Sequence, residues 1–379
     1  MKKGITIAGF FLSAVLLAGC AGTDVQETTE PAIVTISEST TINVTETETT
    51  RQETVTEAHA ESFEWKIDAP SAHGLDDDIF TDLHEKLKGT ETYSMLVVKD
   101  GVIIDEFYNE GYNADSKFPF HSGSKSVTGT LIGIAMEQGY IGSENEPLSD
   151  YVSEALQQAD ARKADITIRD LLTNTSGLDW DEWNSYDVWT EFRAAGNWVD
   201  YILGRDLVYD PGEHFTYSTG NTHLLSAALE KAVGKNQFEY AMEVLFEPLG
   251  MESVEWGTDP RGITDGGNGI IMTARDAVRF GQMCLQNGEW EGRRIVPAEW
   301  LEESTTPKTE GYGDLNGDYG YQWWMREYHG IDTYYAYGYA GQYIFIVPDQ
   351  NMVCVMTGNY PATSYKAREY FTEDVMSRL

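Results

Sequence analysis

Ser122 stands three residues ahead of Lys125 in the stretch Phe118-Pro119-Phe120-His121-Ser122-Gly123-Ser124-Lys125-Ser126-Val127-Thr128-Gly129. A hydroxyl with an amine one helical turn away is a minimal kit for nucleophilic attack on a carbonyl. Pro119 blocks an earlier helix start, and Leu131, Ile134, Ala135 and Met136 continue an apolar face, so the pattern predicts a helix beginning near Ser122. Ser122 and Lys125 then share one side of that helix. Its N-terminus favours negative charge where an alkoxide or a tetrahedral oxyanion would form. Taken alone, Ser-x-x-Lys arises about once by chance in a chain of this size, and an isolated Ser122 reads better as a helix cap. A second stretch, Pro211-Gly212-Glu213-His214-Phe215-Thr216-Tyr217-Ser218-Thr219-Gly220-Asn221, is turn-rich and precedes a helix expected over 224–233. Tyr217, projecting from such a loop, can act as the general base for Ser122 if a nearby lysine keeps its pKa low. With 22 Tyr in the chain, a core tyrosine is the competing reading.

These residues need a scaffold, and the hydropathy pattern supplies an α/β one. A helix is expected over 75–88, where Leu75, Ile79, Leu83 and Leu87 recur at helical spacing. Strands over 93–98 and 102–108 flank Asp100-Gly101, a strong hairpin signal. Near the other end, strands over 343–347 and 352–357 flank the turn Pro348-Asp349-Gln350-Asn351, and a last helix is expected over 364–378. One antiparallel sheet therefore joins the two ends of the chain and is flanked by terminal helices. The middle, 122–301, reads as a mostly helical lobe, with a cleft between lobe and sheet.

Residues 1–20 read as a processing signal rather than as part of the fold. Lys2 and Lys3 precede an apolar stretch over 5–17, shorter than the roughly 18–20 residues needed to span a bilayer. It ends in Leu17-Ala18-Gly19-Cys20, which resembles the bacterial lipoprotein lipobox and implies cleavage before Cys20 and lipid on its thiol. Residues 21–64 hold twelve Thr, ten acidic residues and a single basic one, Arg51. So little apolar surface cannot offset the entropy of ordering, and this segment reads as a solvated tether. The first 20 residues carry +2 and the tether −9, so −29 of the formal charge of −36 falls on 65–379. That balance argues against nucleic acid, which is bound mainly through Lys and Arg. Three cysteines are too few for a disulfide framework, and Cys284 and Cys354 are left as either buried thiols or one bridge.

Taken together, the chemical stretches resemble the β-lactamase-related serine hydrolases: class C β-lactamases, D-alanyl-D-alanine peptidases, esterases of that fold and 6-aminohexanoate-dimer hydrolases. The likeness runs over 91–359 and includes Ile166-Thr167-Ile168-Arg169-Asp170-Leu171-Leu172-Thr173-Asn174-Thr175-Ser176-Gly177-Leu178, Gly269-Ile270-Ile271-Met272-Thr273-Ala274-Arg275-Asp276 and Tyr319-Gly320-Tyr321-Gln322-Trp323-Trp324. It implies catalysis by Ser122, Lys125 and Tyr217 without a cofactor, and places Tyr335-Ala336-Tyr337-Gly338-Tyr339-Ala340-Gly341-Gln342 on the strand beside the serine. There the main-chain N–H groups near Tyr339 and at Ser122 are the expected oxyanion hole, with Gly338 allowing close approach. Three positions depart from the family pattern. Ala336 stands where the family has Lys or His, Thr219 where it has the Asn of Tyr-x-Asn, and Asn174 where it has His. The resemblance makes Thr219 a substrate-side residue, and the change from Asn puts in doubt one polar contact to the lysine and substrate. The stretch 180–198 carries Trp180, Trp183, Trp189 and Trp198, which form either an apolar wall for an acyl chain or part of the core.

The expected substrate is a small molecule or peptide-like compound with an ester, amide or β-lactam carbonyl, ester or linear amide being favoured. A β-lactamase or D-alanyl-D-alanine carboxypeptidase is the nearer alternative, and an inactive surface sensor that keeps the pocket only for binding is the alternative of another class. No His-Glu-x-x-His and no Gly-x-Ser-x-Gly occurs, so neither a zinc protease nor an α/β-hydrolase fits. If Cys20 carries the lipid that anchors the domain outside the bacterial membrane, Cys20→Ala should move the protein from the membrane to the soluble fraction and leave its specific activity unchanged. Unaltered membrane partition would contradict the lipobox reading.

Overall fold

The computed structural model describes residues 63–183, 185–361 and 365–379, so the signal segment, Cys20 and nearly all of the tether lie outside the described residues. In chain order the helices are α1 (Asp77–Leu87), α2 (Ser124–Glu137), α3 (Ile168–Leu172), α4 (Tyr186–Ala194), α5 (Trp198–Leu203), α6 (Thr219–Val233), α7 (Gln237–Ala241), α8 (Ala274–Leu285), α9 (Ala298–Ser304) and α10 (Tyr365–Asp374). The strands are β1 (Thr92–Lys99), β2 (Val102–Tyr108), β3 (Lys117–Pro119), β4 (Glu255–Trp256), β5 (Ile270–Thr273), β6 (Glu289–Trp290), β7 (Arg293–Arg294), β8 (Thr309–Gly313), β9 (Gly317–Tyr319), β10 (Trp324–Tyr328), β11 (Ile331–Gly338), β12 (Gln342–Val347) and β13 (Met352–Gly358).

Eight strands form one sheet in the order β2-β1-β13-β12-β11-β10-β9-β8. The pairing of β1 with β13 is antiparallel, with Leu96 opposite Val355 and Val97 opposite Cys354, so the first and last strands of the chain lie side by side as the hairpin signals require. Both faces of the central strands are covered. Met95, Val97, Phe345 and Met352 join α1 and α10 in one core, whereas Leu96, Val98, Ile344 and Val353 join α2, α8 and the helical lobe in another. Burial on both sides explains why these strands read as continuous apolar runs rather than as alternating ones. Cys284 and Cys354 are free, buried thiols, which removes the bridge from the two alternatives.

Two local differences from the sequence reading bear on the site. The helix expected to start near Ser122 begins as a single 3₁₀ turn, His121–Gly123, with α2 proper from Ser124. His121 sits in the left-handed region at φ 47°, the bend that brings the chain from β3 into α2. The helix expected from residue 224 starts at Thr219, five residues earlier, because the Ser218 hydroxyl accepts from the Asn221 N–H and caps it. Its first turn, Thr-Gly-Asn-Thr, is polar yet buried, so apolar spacing could not announce it.

The helix carrying Ser122 and Lys125 is held from behind by Trp300 of α9. The indole Nε1 donates to Gly129 O at 3.0 Å, and its ring lies so close that a Cβ at Gly133 would fall 2.1 Å from it. Alanine would gain about 1 kcal/mol of intrinsic helix propensity over glycine. Overpacking a buried indole costs about 1–3 kcal/mol, and here the contact is severe. Gly133→Ala is therefore expected to destabilise the domain by about 1–2 kcal/mol in chemical denaturation. A gain in stability would show that α9 yields freely.

Candidate active site

Lys125 is 2% exposed, and its Nζ donates to three acceptors from three separate segments. These are Ser122 Oγ at 3.1 Å on its own helix turn, Thr219 Oγ1 at 2.8 Å at the start of α6, and the Gly267 carbonyl at 2.8 Å in the turn before β5. Burial pulls the amine down from the ordinary lysine range to about 8, opposed by the carboxylates of Glu182 and Asp265. Near neutral pH such a lysine exists in both protonation states.

Tyr217 is positioned by Asn174, which replaces the family histidine. The Asn174 carbonyl accepts from Thr216 N–H at 2.8 Å and its Oδ1 from Ser218 N–H at 3.3 Å, so the two bonds bracket Tyr217. Asn174 has φ 58°, a left-handed conformation that asparagine tolerates better than most residues. The phenol faces Ser122, and the Tyr217 ring stacks on Trp324 and meets Trp183 edge-on. Lys125 Nζ sits over the face of this ring, 4.9 Å from its centre. Burial pushes the Tyr217 hydroxyl well above the usual tyrosine range, Tyr319 and Glu182 push the same way, and the Ser122 bond opposes them. This direction is opposite to the lowered pKa that the sequence reading asks of a general base.

β11 completes the site. A Cβ at Gly338 would fall 2.1 Å from the Phe120 carbonyl, so only glycine lets this strand close on the turn that presents Ser122. Tyr339, the next residue, is 54% exposed, and its ring meets His121 edge-on at 5.9 Å. That close approach sets the Tyr339 main chain beside the Ser122 turn. Ala336, two residues back on the same face of the strand, is buried and carries no charge.

The aromatic stretch divides. Trp180 is 3% exposed and Trp198 is buried with Phe192 in the core, whereas Trp183, alone of the four tryptophans of this stretch, is in ring contact with Tyr217. Trp180 instead donates through Nε1 to Glu182 Oε2 at 2.6 Å. Thr219, at 1% exposure, faces Lys125 and Glu182. Glu182 is the site residue that sequence reasoning missed, since it has no fixed spacing from Ser122, Lys125 or Tyr217. A groove of about 720 Å³ lined by Leu301, Met325, Arg326 and Tyr334 does not include Ser122, Lys125 or Tyr217. Among the described residues no group of His, Cys, Asp and Glu side chains could hold a metal ion.

The chain is similar to known hydrolases in sequence and in fold. The chain is 26% identical over 306 residues to the 6-aminohexanoate-dimer hydrolase of Paenarthrobacter ureafaciens, covering 74% of this chain and 76% of that one. Its fold is similar to EstCE1, a hydrolase with promiscuous acyltransferase activity (TM-score 0.66, 16% identity, 79% and 97% of the two chains). It is also similar to the octameric penicillin-binding protein homologue of Pyrococcus abyssi (TM-score 0.63, 20% identity, 79% and 76%). The beta-lactamase family model matches residues 79–376, almost the whole of the folded region described above, and the chain accordingly belongs to the beta-lactamase family of hydrolases.

Proposed function

We propose that the protein is a serine hydrolase that works through an acyl-enzyme on uncharged esters or linear amides. The contact that carries this reading is Lys125 Nζ, buried and 3.1 Å from Ser122 Oγ. In its neutral form Lys125 takes the Ser122 proton as Oγ attacks the carbonyl carbon. The N–H groups of Ser122 and Tyr339 receive the oxyanion. Tyr217 holds its proton at neutral pH, hands it to the departing oxygen or nitrogen, and is re-protonated at the expense of Lys125. Water then repeats the sequence on the acyl-enzyme.

Because kcat/KM reports the free enzyme, it should rise with pH as Lys125 loses its proton, with a midpoint near the value of about 8 that burial gives this amine. Ser122→Ala, Lys125→Ala and Tyr217→Phe should each lower turnover by at least about a hundredfold, with little further loss in combination. Near-normal turnover in Tyr217→Phe would remove the phenol from the mechanism.

The substrate reading rests on Ala336. In family members with Lys at this place the ammonium meets a substrate carboxylate, and a charge-assisted hydrogen bond is worth about 1.5–3 kcal/mol, roughly ten- to a hundredfold. A buried methyl group supplies none of it. A p-nitrophenyl ester should therefore be turned over better than nitrocefin on the same preparation, with Ser122→Ala abolishing both signals. The ester is intrinsically the easier acyl donor, so a modest preference decides nothing, whereas nitrocefin hydrolysis above roughly 10⁵ M⁻¹s⁻¹ would overturn the reading.

A further inference from the structure

Glu182 touches neither Ser122 nor Lys125, yet it determines what Lys125 can do. Its Oε2 accepts from the Thr219 N–H at 2.9 Å and from Trp180 Nε1 at 2.6 Å, and its Oε1 accepts from Thr219 Oγ1 at 2.9 Å. A carboxylate only accepts, so the Thr219 hydroxyl must spend its hydrogen on Glu182 and offers only a lone pair to Lys125. The Gly267 carbonyl likewise can only accept. Two of the three Nζ directions are thus assigned to N–H bonds whatever the protonation state. The third faces Ser122 Oγ. When Lys125 gives up one proton, its lone pair is left pointing at Ser122 and nowhere else.

We propose that Glu182 is a positioning residue which, acting through the Thr219 hydroxyl, reserves the Lys125 lone pair for Ser122. The proposal rests on Lys125 being the base. The charged and titratable groups facing Lys125 are Glu182 from the loop before α4, Asp265 from the turn before β5, itself paired with Arg193 of α4, and the Tyr217 phenol.

Glu182→Gln tests it, because the amide has one forced orientation. Two N–H donors face the Oε2 position, so the amide oxygen must turn there and the NH₂ must face Thr219 Oγ1. The Thr219 hydroxyl is then driven to donate to the lysine lone pair, in competition with Ser122. Plateau kcat should fall roughly ten- to a hundredfold, and the acid limb of kcat/KM should move to lower pH, because a negative neighbour of the ammonium has been removed. In a Thr219→Val background, which lacks the competing hydroxyl, Glu182→Gln should cost little more, and Thr219→Ser should retain most of the wild-type rate.

A merely structural role would add to the effect of Thr219→Val; that result, or an acid limb left unmoved by the loss of the charge, overturns the proposal. Should Glu182→Gln fail to fold, as judged by circular dichroism, Thr219→Val decides alone: wild-type turnover would show that the hydroxyl does not orient the amine. A wild-type profile with no acid limb near pH 8 would instead sink Lys125 as the base, an outcome distinct from an acid limb that is present but unmoved in Glu182→Gln.

Discussion

A lysine amine taken almost completely out of water is the constraint on which this site is built. An unpaired ammonium in the interior would be prohibitively costly, and the protein answers with acceptors brought from the turn before α2, the start of α6 and the turn before β5. Each acceptor needs its own support. The turn that offers the Gly267 carbonyl is tied down by Thr128 on the Gly266 carbonyl and by Trp256 on the Asp265 carbonyl, while α6 is fixed to α3 and α2 through Gln322. Gln322 accepts from Thr222, donates to the carbonyls of Leu171 and Leu172, and lends its own carbonyl to Ser126 next to Lys125. The three acceptors meet each hydrogen of the ammonium, and with their supports bonded in turn they leave Nζ little room to wander.

The same burial divides labour between two groups that titrate together in water. Desolvation penalises the charged form, which for lysine means a lower pKa and for tyrosine a higher one. Lys125 and Tyr217 therefore move toward each other's neutral states, the amine free to accept a proton and the phenol bound to keep one. Aromatic packing enforces the second half. Trp183, Tyr319 and Trp324 surround the Tyr217 ring and make its setting apolar.

How much of this the sequence discloses depends on whether a residue's role is local. Ser122 and Lys125 declare themselves because one helical turn separates them, and the two hairpins because Asp-Gly and Pro-Asp-Gln-Asn turns sit between β-branched runs. Family resemblance adds Tyr217 and the β11 stretch. What stays hidden is whatever arises from long-range closure. The four tryptophans over 180–198 look equivalent in composition, but Phe192 draws Trp180 and Trp198 into the core and leaves Trp183 at the tyrosine. Glu182 is one of 62 acidic residues, and nothing but the fold of its loop selects it to meet Thr219. Likewise the replacement of the usual asparagine by Thr219 reads as a lost contact until the carboxylate behind it is seen.

An acidic protein might be thought to refuse anionic substrates simply through its overall charge. The formal charge of −29 on residues 65–379 does create a repulsive field, and that field slows the approach of anions. At physiological salt, however, charges more than about 8 Å away are largely screened, so most of the 52 acidic side chains of that region act weakly on a molecule already in the cleft. The charged groups facing Lys125 are few: Glu182, Asp265 with its partner Arg193, and Lys125 itself, already committed to Ser122, Thr219 and Gly267. Recruiting Lys125 to hold a substrate carboxylate would take it from the serine it serves. On the proposed reading, with Arg193 already held by Asp265, discrimination against anions belongs to the missing cation at Ala336 rather than to the charge of the surface.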